Sequence, residues 1–283
     1  MNRIVYVNGD YLPEEKAKIS IFDRGFLMAD GVYEVTTILD GKLLDFEGHL
    51  NRLRRSLSEL DMDDPPDMGN LLEIHHKLIK FNKVEQGGVY LQITRGPGDR
   101  DFIFPKNPKP SLIIFTQSKN ILEAETALLG IKVISIDDMR WGRRDIKTVQ
   151  LLYSSMAKMK AKAKGCDDAW MIENGYVTEG TSNNAYIVKN DTIITRELSN
   201  DILHGITRAS VLRYAKEAQI KVVERQFTID EAKTADEAFI TSASTFVTSV
   251  VEIDGKIISK GKPGPIGKRL REIYIEESRK RSI

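Results

Sequence analysis

Ala169-Trp170-Met171-Ile172-Glu173-Asn174-Gly175-Tyr176-Val177-Thr178-Glu179-Gly180-Thr181-Ser182-Asn183-Asn184-Ala185-Tyr186-Ile187-Val188 reads as short apolar runs cut by polar, glycine-bearing turns. Asn174-Gly175 suits the positive backbone angles of a tight hairpin, so residues 169–172 and 176–178 fold back on each other. Lys189-Asn190-Asp191 turns the chain again, from 185–188 into 192–195, and the segment is a meander. Strands joined by turns this short pair antiparallel, because a parallel pair needs a crossover of about a dozen residues or more.

Outward from the meander, helices and strands alternate. Upstream, residues 131–136 form a strand and about 148–164 a helix, with Val149, Leu152, Tyr153, Met156 and Met159 expected on its inner face. Downstream come a helix at 206–217, a strand at 221–225, a short helix at 229–234, a strand at 237–241 and a charged helix at 266–281. In the first part of the chain, residues 3–7 are a strand, and 32–39 pairs with 42–46 across Asp40-Gly41. Helices follow at 48–60, with Leu50, Leu53, Leu57 and Leu60 in one stripe, and at 68–82, with Leu71, Leu72, Ile74, Leu78 and Ile79. Strands at 89–94 and 111–116 flank the loop 95–110. The pattern gives a mixed α/β (α+β) fold with mainly antiparallel sheets rather than a doubly wound parallel one. A polar connector sets the expected division: an N-terminal α/β domain at 1–120, a linker at 121–130 and a C-terminal domain at 131–283.

Composition narrows the function. A chain of 283 residues buries roughly three quarters of its unfolded surface. A net charge of +1 gives no footprint for nucleic acid or an anionic membrane. No apolar run approaches the ~20 residues of a membrane span, and Met1-Asn2-Arg3-Ile4-Val5-Tyr6 lacks the apolar core of a signal peptide. Cys166 is the single cysteine, which fits a reducing cytoplasm. No metal site is expected: His75-His76 diverge on a helix, and CxxC and HExxH patterns are absent. Residues 261–269 mimic a phosphate loop, but the glycine spacing is wrong and Pro263 and Pro265 remove backbone donors.

Two motifs carry chemistry. Arg144-Asp145-Ile146-Lys147 is expected to lead into a helix, and Glu179-Gly180 ends a hairpin strand. Alone, Lys147 reads as a solvated surface lysine and Glu179 as an exposed turn residue. Together they are the imine-forming amine and the ring-nitrogen carboxylate that pyridoxal phosphate chemistry requires. Arg140, Arg143 and Arg144 carry charge of the sign that favours a neutral Lys147 amine. Gly205-Ile206-Thr207 at a helix start and Thr241-Ser242-Ala243-Ser244-Thr245 after a strand are candidate anion cradles.

Seven motifs occur in the order of one known family: Asp30-Gly31-Val32-Tyr33-Glu34-Val35, His49-Leu50-Asn51-Arg52-Leu53, Thr94-Arg95-Gly96, Asp145-Ile146-Lys147, Thr178-Glu179-Gly180, Gly205-Ile206-Thr207-Arg208 and Thr241-Ser242. Over nearly its whole length the chain resembles the class IV pyridoxal-phosphate-dependent aminotransferases (fold type IV), most closely their D-amino-acid members. The resemblance implies a small N-terminal α/β domain and a larger C-terminal pseudo-barrel of mostly antiparallel strands. It implies Lys147 as the catalytic lysine bound to pyridoxal 5'-phosphate and Glu179 as the ring-nitrogen partner. It also implies Arg52, Ile206, Thr207 and Ser242 on the phosphate, Leu203 against the ring and Ser182 beside it. Ala243 stands where the family often has a second hydroxyl, with Ser244 as the substitute. The helix spacing agrees, since it puts His49 and Arg52 on one face.

The same resemblance implies a ping-pong transamination between a D-amino acid and a 2-oxo acid such as 2-oxoglutarate, in a homodimer with shared active sites. Tyr33 and Val35 face the substrate, and Arg100 matches a carboxylate-binding arginine that reaches across from the partner subunit. The histidine that accompanies that arginine is replaced by Phe102, which donates no hydrogen bond, while Asp101 is placed to tether Arg100. A phenylalanine there suits bulky apolar substrates or an amine without a carboxylate. The alternatives are an (R)-amine or noncanonical D-transaminase, a branched-chain L-amino-acid aminotransferase, aminodeoxychorismate lyase and an inactive cofactor-binding relative. Phe102-Ile103-Phe104 is an apolar loop tip of the kind that anchors an interface or walls a pocket.

Overall fold

The structure, a computed structural model, describes residues 3–283. Met1 and Asn2, part of the first strand pattern, lie outside them. The chain divides into two compact units: Met1–Asn120 with Ile146–Gln150 and Arg281–Ile283, and Ile121–Asp145 with Leu151–Lys280.

The first unit contains β1 (Ile4–Val7), β2 (Asp10–Pro13), α1 (Arg24–Met28), β3 (Gly31–Leu39), β4 (Lys42–Leu43), α2 (Phe46–Glu59), α3 (Leu71–Asn82), β5 (Gln86–Thr94) and β6 (Ser111–Ser118). Its sheet runs β2-β1-β6-β5-β3-β4, antiparallel throughout. Period-two alternation sorts the side chains. Val32, Ile38, Leu91, Ile93 and Ile114 pack with Leu53 and Leu57 of α2 and Ile74 and Leu78 of α3. The opposite face carries Tyr33, Tyr90 and Phe115, stacked in series at 5.6 and 4.8 Å between ring centroids. Phe46, expected in a strand, instead opens α2, and Leu72, expected in the α3 stripe, is 37% exposed.

The second unit contains α4 (Glu125–Leu129), β7 (Ile131–Asp137), α5 (Leu152–Ala163), β8 (Asp168–Glu173), β9 (Tyr176–Gly180), β10 (Asn184–Lys189), β11 (Thr192–Thr195), α6 (Ile206–Glu217), β12 (Lys221–Glu224), α7 (Ile229–Lys233), β13 (Glu237–Ser242), β14 (Phe246–Ile253), β15 (Lys256–Ile257) and α8 (Pro265–Arg281). The sheet order is β12-β11-β10-β13-β14-β7-β8-β9, with β15 on β14. The β11–β12, β14–β7 and β7–β8 pairs are parallel and the others antiparallel. The expected meander is instead two hairpins, β8–β9 and β10–β11: β9 ends the sheet, while β10 lies between β11 and β13. Strand β14 has no counterpart in the sequence pattern. Residues 246–251 are buried without interruption, so the run lacks the alternation that marks a one-sided strand.

Three local expectations are corrected. Residues 121–130, read as a linker, hold α4 and the buried Ile121. The 146–150 segment, read as part of the second domain, belongs to the first unit. Helix α5 presents the face opposite to the one expected: Ala157 and Ala161 are buried, while Leu152, Met156 and Met159 are 75%, 49% and 67% exposed. Small residues allow that helix to lie close on its sheet, where the longer side chains would hold it off.

The phosphate-loop lookalike is accounted for. The N–H groups of Ile266 and Gly267, at the mouth of α8, donate to the buried carboxylate of Glu237 at 3.0 Å each. That carboxylate already occupies the positive end of the helix.

Candidate active site

Lys147 is placed by a strand edge. Along β3, strand β4 pairs with Ile38 and Leu39 at the far end, so the Gly31–Tyr33 end is open on the β4 side. Residues 147–149 fill it. Tyr33 N–H donates to the Lys147 carbonyl at 3.0 Å, Val149 N–H donates to the Gly31 carbonyl at 3.1 Å, and Val32 bridges Thr148. Helix α5 begins only at Leu152, so Lys147 does not stand at a helix mouth as expected. Its Nζ lies 4.1 Å from the centroid of the Tyr33 ring. The attraction of an ammonium to an aromatic face orients the amine. Among the described residues no carboxylate pairs with it.

The three arginines expected to act on that amine are committed elsewhere. Arg143 pairs with Asp145 at 3.0 Å, Arg144 with Glu173 at 2.8 Å, and Arg140 with Asp138 and Glu179 at 2.7 Å each.

On the helix-covered side of the same strand, Glu34 meets α2. Arg52 donates through Nε to Oε1 and through a terminal nitrogen to Oε2, both at 2.7 Å, and His49 Nδ1 lies 2.7 Å from Oε2. All three side chains are buried. Burial alone would raise the Glu34 carboxyl, but the charge and hydrogen bonds of Arg52, with those of His49, hold it well below the usual carboxylate range. His49 and Arg52 thus share a helix face, and Glu34 is the group they share it for.

In the second unit, Glu179 is the penultimate residue of β9 and is buried. Its Oε1 accepts from Arg140 at 2.7 Å, and its Oε2 accepts from Asn184 Nδ2 and from Leu203 N–H, both at 3.1 Å. Burial raises its pKa, outweighing the charge of Arg140 and these bonds. Arg140 is itself locked by Asp138, through Nε at 2.9 Å and a terminal nitrogen at 2.7 Å, and Thr178 donates to the same carboxylate at 2.7 Å. Asn184 also donates to the Leu203 carbonyl at 2.9 Å. A Cβ on Gly205 would lie 2.1 Å from Asn184 Oδ1 and would push that side chain from its present bonds. A Cβ on Gly180 would likewise lie 2.2 Å from Asn183 Oδ1 and displace it.

Gly205 caps α6 without a side-chain bond, which leaves the first-turn N–H groups of Ile206 and Thr207 for another acceptor. Ser242 closes β13, and its hydroxyl is 3.3 Å from that of Ser244 and 2.8 Å from that of Thr245. Ala243 lies in the turn between them. Ser182 is exposed at the tip of a turn that Asp168 fixes through Thr181 and Asn183.

The 95–110 loop is anchored at its base. Asp30 accepts from Arg24 at 2.7 Å and from Arg95 at 2.8 Å, and the Arg95 guanidinium stacks 3.6 Å from the Phe104 ring centroid. Phe102 and Ile103 stay 79% and 77% exposed. Arg100 lies 5.7 Å over the Phe102 ring. Asp101 does not tether Arg100: its carboxylate accepts from Ile103 N–H at 3.1 Å. Tyr33 and Val35 are half-buried on the open face of β3.

Arg140, Asp138, Asn184 and Glu34 receive no such role from sequence. Asn184 is visible there only as the end of a polar run. Glu34 carries one signal, the only charge in the strand Gly31–Leu39.

Residues 31–253 match the family described as amino-transferase class IV. The D-alanine aminotransferase of Staphylococcus epidermidis is 37% identical over 280 residues, 99% of each chain. That of Bacillus licheniformis is 38% identical over 267 residues, 94% of each. Among solved structures, the T.th. branched-chain amino acid aminotransferase with pyridoxamine 5'-phosphate superposes with a TM-score of 0.91 at 27% identity, over 99% of this chain and 95% of that one. The norvaline-bound branched-chain enzyme of Thermoproteus uzoniensis gives 0.87 at 25% identity, over 98% and 94%. The fold is that of the fold type IV aminotransferases, as expected. A lysine tied to a strand edge, a buried carboxylate at a hairpin end and a match across most of the sequence converge, and the chain belongs to the class IV aminotransferases.

Proposed function

We propose that this protein is a D-amino-acid aminotransferase that uses pyridoxal 5'-phosphate, moving an amino group between a D-alanine-type amino acid and a 2-oxo acid such as 2-oxoglutarate. The observation that carries the reading is Lys147, an amine held 4.1 Å over the Tyr33 ring with no carboxylate partner among the described residues. The choice of a D-amino acid rests on relatives named D-alanine aminotransferase, 35–38% identical over nearly the full chain.

The residues fit the cofactor. A carboxylate offers about four lone-pair positions. Glu179 uses three of them, on Arg140, Asn184 and Leu203, which leaves one for a ring N–H. Lys147 would hold the cofactor. Arg52, the Ile206 and Thr207 N–H groups and Ser242 would receive its phosphate, with Ala243 and Ser182 close by and Leu203 against the ring. When bound, pyridoxal phosphate supplies an electron sink that makes the substrate Cα–H bond labile.

The chain's own groups do the rest. Lys147 Nζ, free while substrate is bound, takes the Cα proton in one half-reaction and returns a proton to Cα in the other. Tyr33 keeps that amine oriented. Arg140 and the Leu203 N–H hold Glu179 in place as an acceptor. Arg100, reaching across from the other subunit of the dimer, pairs with the substrate carboxylate, and Val35 and Phe102 line its path.

A branched-chain or (R)-amine reading stays as the second choice, because Phe102 lies against Arg100 where a hydrogen-bond donor was expected. The exposed stripe of Leu152, Met156 and Met159 supports a homodimer. No helix among the described residues is long and apolar enough to cross a membrane. A cytoplasmic location rests on the single cysteine.

The test is a half-reaction panel on the yellow holoenzyme with D-alanine, D-glutamate, L-leucine, L-alanine and (R)-1-phenylethylamine. Bleaching by D-alanine and D-glutamate alone supports the proposal. Bleaching by L-leucine, or by the amine in preference to D-alanine, replaces it with the second reading.

A further inference from the structure

We infer that Glu34 is a positioning residue for cofactor phosphate binding, acting through Arg52 and touching no ligand itself; this rests on the assignment of Arg52 to the phosphate. Strand alternation separates the roles of neighbouring residues. Tyr33 faces the open side of β3, where the Lys147 amine lies over its ring. Glu34 faces the helices and takes both carboxylate oxygens to the guanidinium of Arg52, at 2.7 Å each.

A paired two-point contact fixes a planar guanidinium in angle as well as in distance. The edge formed by Nε and one terminal nitrogen is set against the strand, so the remaining edge has a defined direction. This two-point contact holds the long side chain against β3 rather than leaving it to sample its rotamers on α2. His49 Nδ1, 2.7 Å from the same carboxylate, braces Glu34 from the next turn of the helix. The arrangement ties the phosphate-binding side chain to the strand that carries Tyr33 and, through residues 147–149, to Lys147.

The experiment compares ligands with and without a phosphate. Full-length protein freed of cofactor is titrated with pyridoxal 5'-phosphate and with pyridoxal, in the wild type, Glu34→Gln, Glu34→Asp and Arg52→Lys. Glu34→Gln keeps the shape and one acceptor but removes the charge. The expected result is a loss of about ten-fold or more in affinity for the phosphorylated ligand, with pyridoxal affinity changed less than about two-fold. Glu34→Asp keeps the charge and is expected to recover part of the loss. Inorganic phosphate is expected to compete less well in Glu34→Gln than in the wild type. A merely structural role would weaken both ligands alike, and that outcome overturns the inference. So does unchanged phosphate selectivity in Glu34→Gln while Arg52→Lys loses it. If Arg52→Lys itself keeps full selectivity, the assignment of Arg52 is wrong and the inference about Glu34 falls with it.

Discussion

Arg140→Leu tests the electrostatics of the second unit. Arg140 is 13% exposed, and its two carboxylate partners, Asp138 and Glu179, are 0% and 4% exposed. The substitution leaves two buried carboxylates without their shared cation. Removing one partner of a buried ion pair costs about 3–5 kcal/mol. The pH dependence follows from the two partners. Burial raises the Asp138 carboxyl, but the bonds and charge of Arg140, with Thr178 and Arg144, bring it below the usual range. Its contribution to stability is present above the ordinary carboxylate pKa and is lost as pH falls. Glu179 is raised, so its contribution is present at low pH and is lost as pH rises through its folded pKa. Without Arg140 the depression of Asp138 goes and Glu179 is raised further. Both changes weaken the fold most at neutral pH and least toward pH ~4. Thermal melting of the full chain is expected to show a loss on the order of 10 °C at pH 8, shrinking steadily toward pH 5. An undiminished loss at pH 5, or no loss at pH 8, would refute the reasoning.

Three further outcomes are expected. Lys147→Ala should lower transamination by about 10³-fold or more while leaving thermal stability near wild type, measured by single-turnover absorbance. Gly205→Ala should push Asn184 away from Glu179 and the Leu203 carbonyl, because its Cβ would lie 2.1 Å from Asn184 Oδ1. Cofactor retention in equilibrium dialysis should fall, and stability should drop by about 1–3 kcal/mol in urea titration. Phe102→His should raise kcat/KM for D-alanine about ten-fold by adding a donor beside Arg100, with no gain for (R)-1-phenylethylamine.

Local signals read correctly where neighbours in sequence decide the outcome. Helix α6 spans Ile206–Glu217, the limits that the Gly205 entry and the apolar spacing give. The Asn174-Gly175 turn pairs β8 with β9, as its dipeptide requires. Signals fail where distant chain decides. Hydrophobicity points to the wrong face of α5, where Ala157 and Ala161 are the buried residues, because close packing on the sheet selects small side chains. Strand β14 is buried on both faces of a mixed sheet, a pattern that carries no period of its own. Sequence spacing puts Lys147 at a helix mouth, but its position is set by the open end of β3, more than a hundred residues earlier in the chain.

The chemistry is legible as residue types and illegible as supports. Lys147, Glu179 and Arg52 stand out as chemically apt groups in a recognisable order. The groups that fix them, Arg140 for Glu179 and Glu34 for Arg52, are separated from their partners by 39 and 18 residues, and only the folded sheet brings them together. Phe102 is visible as a departure. The Arg100 guanidinium lies 5.7 Å from the centroid of its ring.

The central claim is that Lys147 is the amine that carries the cofactor. Borohydride reduction of the yellow holoenzyme, followed by peptide mapping, tests it most directly. The account predicts a single phosphopyridoxyl label, on Lys147. A label on another lysine, or none on a yellow protein, would contradict it.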